Sequence, residues 1–240
     1  FAERGVTVVP GAPQVWSALA QMPSNECAVL SKLRVALTGA AKMPEHVTVQ
    51  LKEQYGLVVH EGYGLTESSP VVTTSVNGSH KVGSIGKPLH GVSIRLVDEH
   101  GDNAEEGDSG EIWVRGENVF AGYYNDQEAT DRVLTADGWL RTGDIAVRDA
   151  DSDLFLVDRL KDLIIVSGFN VYPAEVEQVL LAHSAIEQAA VVGVSHPHTG
   201  EAVRAYVVLH QGVHLDEESI IEHGQKQLAR YKCPPKVLIV

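Results

Sequence analysis

The feature that most constrains this chain is a fivefold alternation across its first 67 residues. Residues 6–9 (VTVV), 33–38 (LRVALT) and 57–60 (LVVH) are short apolar runs of strand type. Between them lie two stretches with helical spacing. Residues 13–22 offer Val15, Trp16, Leu19 and Ala20 to one face, and residues 44–55 open on Pro44 and are stopped by Gly56. Strand, helix, strand, helix, strand predicts a parallel sheet with crossover helices, because parallel neighbours cannot be joined by a tight turn. Ligands of such sheets collect beyond the carboxyl ends of the strands. The turn at Gly39 and the loop at 62–67 both fall there.

The pattern changes near residue 81. Alternating runs such as 92–97 and 111–114 are separated by Gly/Asp turns, among them His100-Gly101-Asp102 and Glu106-Gly107-Asp108. They predict an antiparallel, β-barrel-like subdomain, interrupted by one helix over 126–134 whose acidic first turn suits the helix dipole. From about residue 159, strand runs (163–166, 189–194, 203–209, 236–240) alternate with helices over 173–183 and 216–230, the second capped by Asp216. The expected class is therefore α/β plus α+β. A parallel α/β sheet remnant covers 1–80, the β-rich subdomain 81–160, and a small two-layer α+β domain 161–240, with the boundary at Leu160-Lys161-Asp162.

Several residues in this frame could carry chemistry. Arg141-Thr142-Gly143-Asp144 reads as a tight turn in which the glycine lets the backbone bend and leaves the Asp144 carboxylate projecting. Such an acceptor pair suits two vicinal hydroxyls, as on a ribose, better than an anion. Arg159 follows the apolar run 154–157, and Lys161-Asp162 between two strand-like runs reads as a turn or hinge. Pro173 is placed for the first turn of a helix. A plain surface hairpin backed by a helix has the same signature, and Arg159 could equally pair with Asp158 or Asp162. In the loop at 62–67, Tyr63 offers an aromatic face, Thr66 a hydroxyl and Glu67 a carboxylate suited to Mg²⁺. A glycine-rich turn around a core tyrosine would read alike.

Composition narrows the classes. Nineteen basic against thirty-two acidic residues give a net charge of −13, which opposes non-specific binding to nucleic acid or anionic membrane. It leaves room for a phosphate-bearing ligand, since a divalent cation and a few local donors outweigh the global field. Cys27 and Cys233 have no partner spacing for a disulfide framework or a zinc site, so a reducing, cytoplasmic setting is expected. No apolar run reaches membrane-spanning length and no signal-peptide pattern opens the chain. Asn77-Gly78-Ser79 matches a glycosylation sequon by chance, and His196-Pro197-His198 has no third metal ligand at sensible spacing.

Four long motifs then occur in one order: EGYGLTE (61–67), GEIWVRGENVFAGYYN (110–125), GWLRTGDI (138–145) and DRLKDLIIVSGFNVYPAEVE (158–177). Together they resemble the adenylate-forming enzymes: acyl- and aryl-CoA synthetases, adenylation domains of peptide synthetases, and firefly-type luciferases. The resemblance covers nearly the whole chain. It implies that a small-molecule carboxylic acid reacts with ATP to give acyl-AMP and pyrophosphate, and that CoA then displaces AMP. It implies nucleotide contacts from Gly39-Ala40-Ala41, from Gly62, Tyr63, Gly64 and Thr66, and from Asp144 and Arg159. Thr66 and Glu67 would serve catalysis, with Glu67 on Mg²⁺. Lys161 falls at the family's hinge, ahead of a small mobile C-terminal domain, and Gly168, followed by Phe169, falls on the CoA side.

The spellings GYGLTESSP, TGAAKMP and GFNVYPAEVE are most like fatty-acid-CoA ligases. Aryl-CoA or carrier-protein loading remain alternatives, as do a non-catalytic nucleotide-binding module and a scaffolding domain. The family's Ser/Thr/Gly-rich phosphate loop has no counterpart here, and its adenylation lysine would lie beyond Val240. The chain opens on Phe1 without an initiator methionine. These 240 residues thus read as the C-terminal half of such an enzyme and are expected to be inactive alone.

Overall fold

Three parallel strands carry the amino-terminal part of the protein. The structure is a computed structural model that describes residues 2–23, 28–76, 78 and 80–240; Phe1, Cys27, Asn77 and Ser79 lie outside the described residues. Strand β1 (Val8–Pro10), helix α1 (Pro13–Ala20), β2 (Val35–Thr38), α2 (Glu45–Tyr55) and β3 (Val59–Tyr63) follow the expected alternation. β1 pairs parallel with β2, and β2 with β3. Pro10 is tolerated inside β1 because that strand is the sheet edge. Gly56 ends α2 at φ +63°, the left-handed cap for which glycine has no steric penalty. Trp16, Leu30, Met43, Leu51 and Val59 fill the core between helices and sheet. Removing a side chain like Leu51 from water contributes about 2 kcal/mol.

β3 runs further than its apolar residues suggest. Glu61 is buried, and Gly62 and Tyr63 pair antiparallel with β4 (Thr73–Thr74), which pairs in turn with β5 (Lys87–Pro88). The sheet order is β1-β2-β3-β4-β5. The first half of the glycine-rich motif is thus strand rather than loop.

A second sheet contains β6 (Ser93–Val97), β7 (Ser109–Arg115), β8 (Leu140–Arg148) and β9 (Leu154–Arg159), in that order, with helix α3 (Gln127–Val133) between β7 and β8. The expected barrel is not formed: among the described residues this is an open four-stranded sheet. Closure needs more strands and a fixed stagger, neither of which alternating apolar runs specify. One face packs Leu96, Ile112, Val114, Leu140 and Leu154 with Val72 and Ile85. Strand alternation sends Arg95, Trp113 and Arg115 to the other face. There Arg95 lies between Trp113 and Trp139, 4.5 and 4.6 Å from the ring centroids, while Arg141 covers Trp113 at 4.8 Å and Arg115 covers Trp139 at 4.7 Å.

The Arg-Thr-Gly-Asp segment is also not the turn expected from its glycine. It lies inside β8, where Gly143 at φ +72° makes a local break in an otherwise extended strand. A positive-φ glycine serves an irregularity as well as a turn, and sequence does not separate the two.

The chain divides into two compact units, Phe1–Thr142 with Ala146–Leu156, and Gly143–Ile145 with Val157–Val240. In the second unit, β10 (Ile164–Val166) and β11 (Phe169–Val171) form a hairpin, followed by α4 (Pro173–Leu181), β12 (Ile186–His196), β13 (Gly200–Leu209), α5 (Glu217–Gln225) and β14 (Lys236–Ile239). The order is β11-β10-β13-β12, with β14 parallel to β13. Val176 and Leu180 of α4 and Ile220 of α5 share a core with Ile164, Val203, Ala205, Val207 and Val237. The three-residue β11 was too short to register as an apolar run. α5 is shorter than the 216–230 expected, because Gly224 and the later Pro234-Pro235 do not sustain a helix. Asp216 caps it as expected, accepting from Ser219 N–H at 2.7 Å. No helix among the described residues is long and apolar enough to cross a membrane.

Candidate functional site

The carboxyl ends of β2 and β3 bring two of the expected site segments together. Thr38 pairs with Glu61 across the parallel ladder, so the chain leaves both strands at one level. Gly39 then runs against the next strand: a Cβ placed on it would lie 3.2 Å from the Gly62 carbonyl oxygen. Ala40 takes φ +69°, a conformation L-residues seldom adopt, so the Gly39-Ala40-Ala41 turn is held rather than relaxed. Gly64 is tighter still. A Cβ there would fall 1.8 Å from the Pro70 carbonyl oxygen, because the loop after β3 folds straight back on itself.

Ser68 staples that loop. It is fully buried, its backbone N–H donates to Leu65 O at 2.9 Å, and its hydroxyl accepts from Leu65 N–H at 3.1 Å. The short turn Thr66–Ser68 therefore presents Thr66 outward, its hydroxyl making no hydrogen bond among the described residues. Glu67 Oε1 accepts from the Tyr123 hydroxyl at 2.6 Å, and Phe120 N–H donates to Glu67 O at 2.8 Å. The bond to Glu67 pushes the Tyr123 phenol up to about 12. Oε2 of Glu67 has no hydrogen bond among the described residues. Tyr63 is different: at 8% exposure it belongs to the core of the second sheet.

Two buried groups behind this loop were not singled out by sequence. Burial pushes the Glu61 carboxyl above its ordinary range, against the pull of backbone N–H groups at Met43 and Gly83. Thr38 Oγ1 is buried without a hydrogen-bond partner. Tyr123 was likewise not singled out by sequence, although it lies inside the motif at 110–125. Its hydroxyl meets a carboxylate 56 positions away, a pairing that no local spacing reveals.

The carboxylate chemistry at Glu67 is compatible with a divalent cation whose other ligands come from outside the protein. Among the described residues, no group of three or more His, Cys, Asp or Glu side chains is arranged to hold a metal by itself. Glu67 offers a single open carboxylate oxygen. Mg²⁺ in phosphate-transfer sites takes one or two carboxylates and completes its shell with water and substrate phosphates.

In the second unit, Asp144 and Arg159 do meet. Arg159 Nε lies 3.2 Å from Asp144 Oδ1, with Asp144 13% and Arg159 61% exposed. Asp158, a possible partner for Arg159, is occupied elsewhere: its carboxylate accepts from Arg159's own N–H at 2.8 Å and from Ala174 N–H at 2.9 Å, at the start of α4. Lys161 is exposed on a one-turn 3₁₀ segment, Leu160–Asp162, beside a cavity of about 470 Å³ lined by Asp158, Asp162, Glu177 and Glu201. Burial pushes the Glu177 carboxyl up, and the charges of Asp158 and Asp162 add to that. Ser167 (φ +52°) and Gly168 (φ +84°) form the two-residue turn of the β10–β11 hairpin, whose twist favours left-handed conformations at both positions. Phe169 is exposed and stacks on Tyr231 with centroids 4.9 Å apart. His196 is engaged by Thr199 Oγ1 at 2.7 Å.

Comparison with known proteins gives the family. A family model described as AMP-binding enzyme matches residues 1–124, and one described as AMP-binding enzyme C-terminal domain matches residues 175–240. A long-chain-fatty-acid–CoA ligase of Yersinia pestis is 41% identical over 229 residues, 95% of this chain and 40% of that protein. A feruloyl-CoA synthase of an Amycolatopsis species is 40% identical over 234 residues, 97% of this chain and 47% of that protein. Among solved structures, ATP-bound MatB from Rhodopseudomonas palustris superposes with a TM-score of 0.89 at 35% identity, covering 98% of this chain and 47% of that one. The o-succinylbenzoate CoA synthetase of Bacillus subtilis, in complex with its acyl-adenylate intermediate, gives 0.84 at 32% identity, covering 100% and 48%. The chain spans less than half the length of each of these relatives.

Proposed function

The chain belongs to the AMP-binding enzyme family, the adenylate-forming ligases, and from that premise we propose that it is part of an ATP-dependent acyl-CoA synthetase acting on a fatty acid. The acid's carboxylate oxygen attacks the α-phosphorus of ATP, forming acyl-AMP as pyrophosphate leaves. The thiol of CoA then attacks the acyl carbon, gives up its proton, and displaces AMP. The observation that carries the reading is in the first unit: the turn at Gly39 runs against Gly62, and the strand holding Gly62 leads into a loop with an open Thr66 hydroxyl and an open Glu67 oxygen.

In this reading the small residues Gly39, Ala40, Ala41, Gly62 and Gly64 let the main chain approach the nucleotide closely. Tyr63, largely buried, offers the base only a ring edge or one face. Thr66 donates to a phosphate oxygen. Glu67 would take Mg²⁺, which when bound supplies charge neutralisation on the phosphates. Asp144 accepts from ribose hydroxyls and Arg159 donates beside it. Lys161 marks a hinge, residues 161–240 a small mobile domain, and Gly168 with Phe169 the thiol side. A cytoplasmic setting belongs to the same reading.

An aryl acid is the second candidate, because the feruloyl-CoA synthase is as similar to this chain as the fatty-acid ligase. The test is AMP formation by the complete gene product across straight-chain acids of graded length and a set of aryl acids. Long-chain acids are expected to give the highest kcat/KM, and Glu67→Gln to lower it by about 100-fold or more. Preference for aryl acids would move the substrate assignment. Acyl-adenylate analogue binding without turnover on any acid would leave a nucleotide-binding module, and no binding at all would leave a scaffold.

A further inference from the structure

The proposed cation ligand has a built partner. Tyr123 is 38% exposed, yet its segment is fixed at several points. Phe120 N–H donates to Glu67 O at 2.8 Å, the Phe120 and Tyr123 rings meet edge-on at 4.9 Å, and Tyr123 N–H donates to Thr130 Oγ1 at 2.9 Å. Gly122 between them sits at φ +140°, where a Cβ would lie 2.8 Å from Thr130 Cγ2. The hydroxyl is therefore delivered to Glu67 by a rigid strap between the turn after β7 and the start of α3. A glutamate has three rotatable bonds and normally samples many positions. Here one oxygen is pinned at 2.6 Å and the other is left open.

We propose that Tyr123 is a positioning residue: it fixes the Glu67 carboxylate so that the open oxygen meets the divalent cation carried by the nucleotide. The inference rests on the reading above, in which Glu67 is the cation's protein ligand. Hydrogen-bond partners of metal-binding carboxylates orient the ligand, and losing one lowers metal affinity by 10- to 100-fold in general. A purely structural tie between the two loops would instead act on folding, not on the metal.

The experiment uses the complete gene product as wild type, Tyr123→Phe, Phe120→Leu and Glu67→Gln. Mn²⁺ affinity is measured by electron paramagnetic resonance with a non-hydrolysable ATP analogue present. Alongside it, AMP formation is titrated with Mg²⁺, separating the half-saturating concentration from kcat at saturating metal. Tyr123→Phe keeps the ring against Phe120 and removes only the hydroxyl. It is expected to weaken Mn²⁺ binding by about tenfold, with the Mg²⁺ half-saturation rising by the same factor and kcat falling less. Phe120→Leu keeps the hydroxyl on a looser ring and should shift both in the same direction by less; if Tyr123→Phe gives no cooperative melt, this variant decides. Lowered melting and kcat with unchanged metal half-saturation would overturn the inference. If Glu67→Gln weakens Mn²⁺ binding and neither aromatic variant does, only the role of Tyr123 fails. If Glu67→Gln leaves it unchanged, the assignment of Glu67 itself has failed.

Discussion

The two units present their candidate residues in opposite ways. In the first, the Gly39 turn and the loop after β3 are shaped by missing side chains: main chain meets main chain at Gly39 and Gly62, and again at Gly64 and Pro70. In the second, the candidate pair is made of side chains, Asp144 and Arg159, with the arginine mostly in solvent. A surface made of backbone cannot be altered without moving what it packs on. A charge pair at the edge of water can be removed with little structural consequence. Binding and stability should therefore fail together at the glycine contacts and separately at the charge pair.

The largest effect is expected at Gly64. Alanine would drive a methyl group into the Pro70 carbonyl, so Gly64→Ala should destabilise by about 3 kcal/mol or more and abolish nucleotide binding with it. Denaturant unfolding within 1 kcal/mol of wild type would break the contrast. Next is Arg159→Ala, expected to change stability by about 1 kcal/mol at most, as the guanidinium is mostly in solvent. Its AMP affinity by calorimetry should nonetheless fall by about tenfold, the loss of one charge-assisted hydrogen bond. A large drop in stability would show that the pair holds the fold rather than a ligand.

The smallest effect concerns neither surface. Backbone N–H donation from Ser219 holds the Asp216 carboxyl below its ordinary range at the start of α5. Its folded value is depressed, so its contribution is fully present above the unfolded value near pH ~3.9 and is lost as pH falls through the folded one. Asp216→Ala should lower the thermal midpoint slightly at pH 7, and the gap should close on acidification below about pH 4. A gap that persists at low pH would point to a contact other than the ionised cap.

What was legible in the sequence follows from range. β1 to β3 and their helices were visible because apolar runs and glycine stops lie within a dozen residues of each other. The left-handed cap at Gly56 and the Asp216 cap were visible for the same reason. The open second sheet was not, since strand number and closure depend on pairing across distant segments. Gly143 was misjudged as a turn because a positive φ is needed equally in a strand irregularity. The Glu67–Tyr123 bond and the burial of Tyr63 are tertiary facts with no local signal. The pairing of Arg159 with Asp144, rather than with the adjacent Asp158, became decidable only once Asp158 was seen to serve the start of α4.

The arginine–tryptophan stack on the outer face of the second sheet has an optical consequence. Trp113 and Trp139 are sandwiched by three guanidinium groups, while Trp16 is sealed in the helix-covered core of the first sheet. The chain thus carries two indole environments of different polarity and quenching, one in each of the first two sheets. Their emission spectra would separate on unfolding, and intrinsic fluorescence would report which sheet loosens first without any added label.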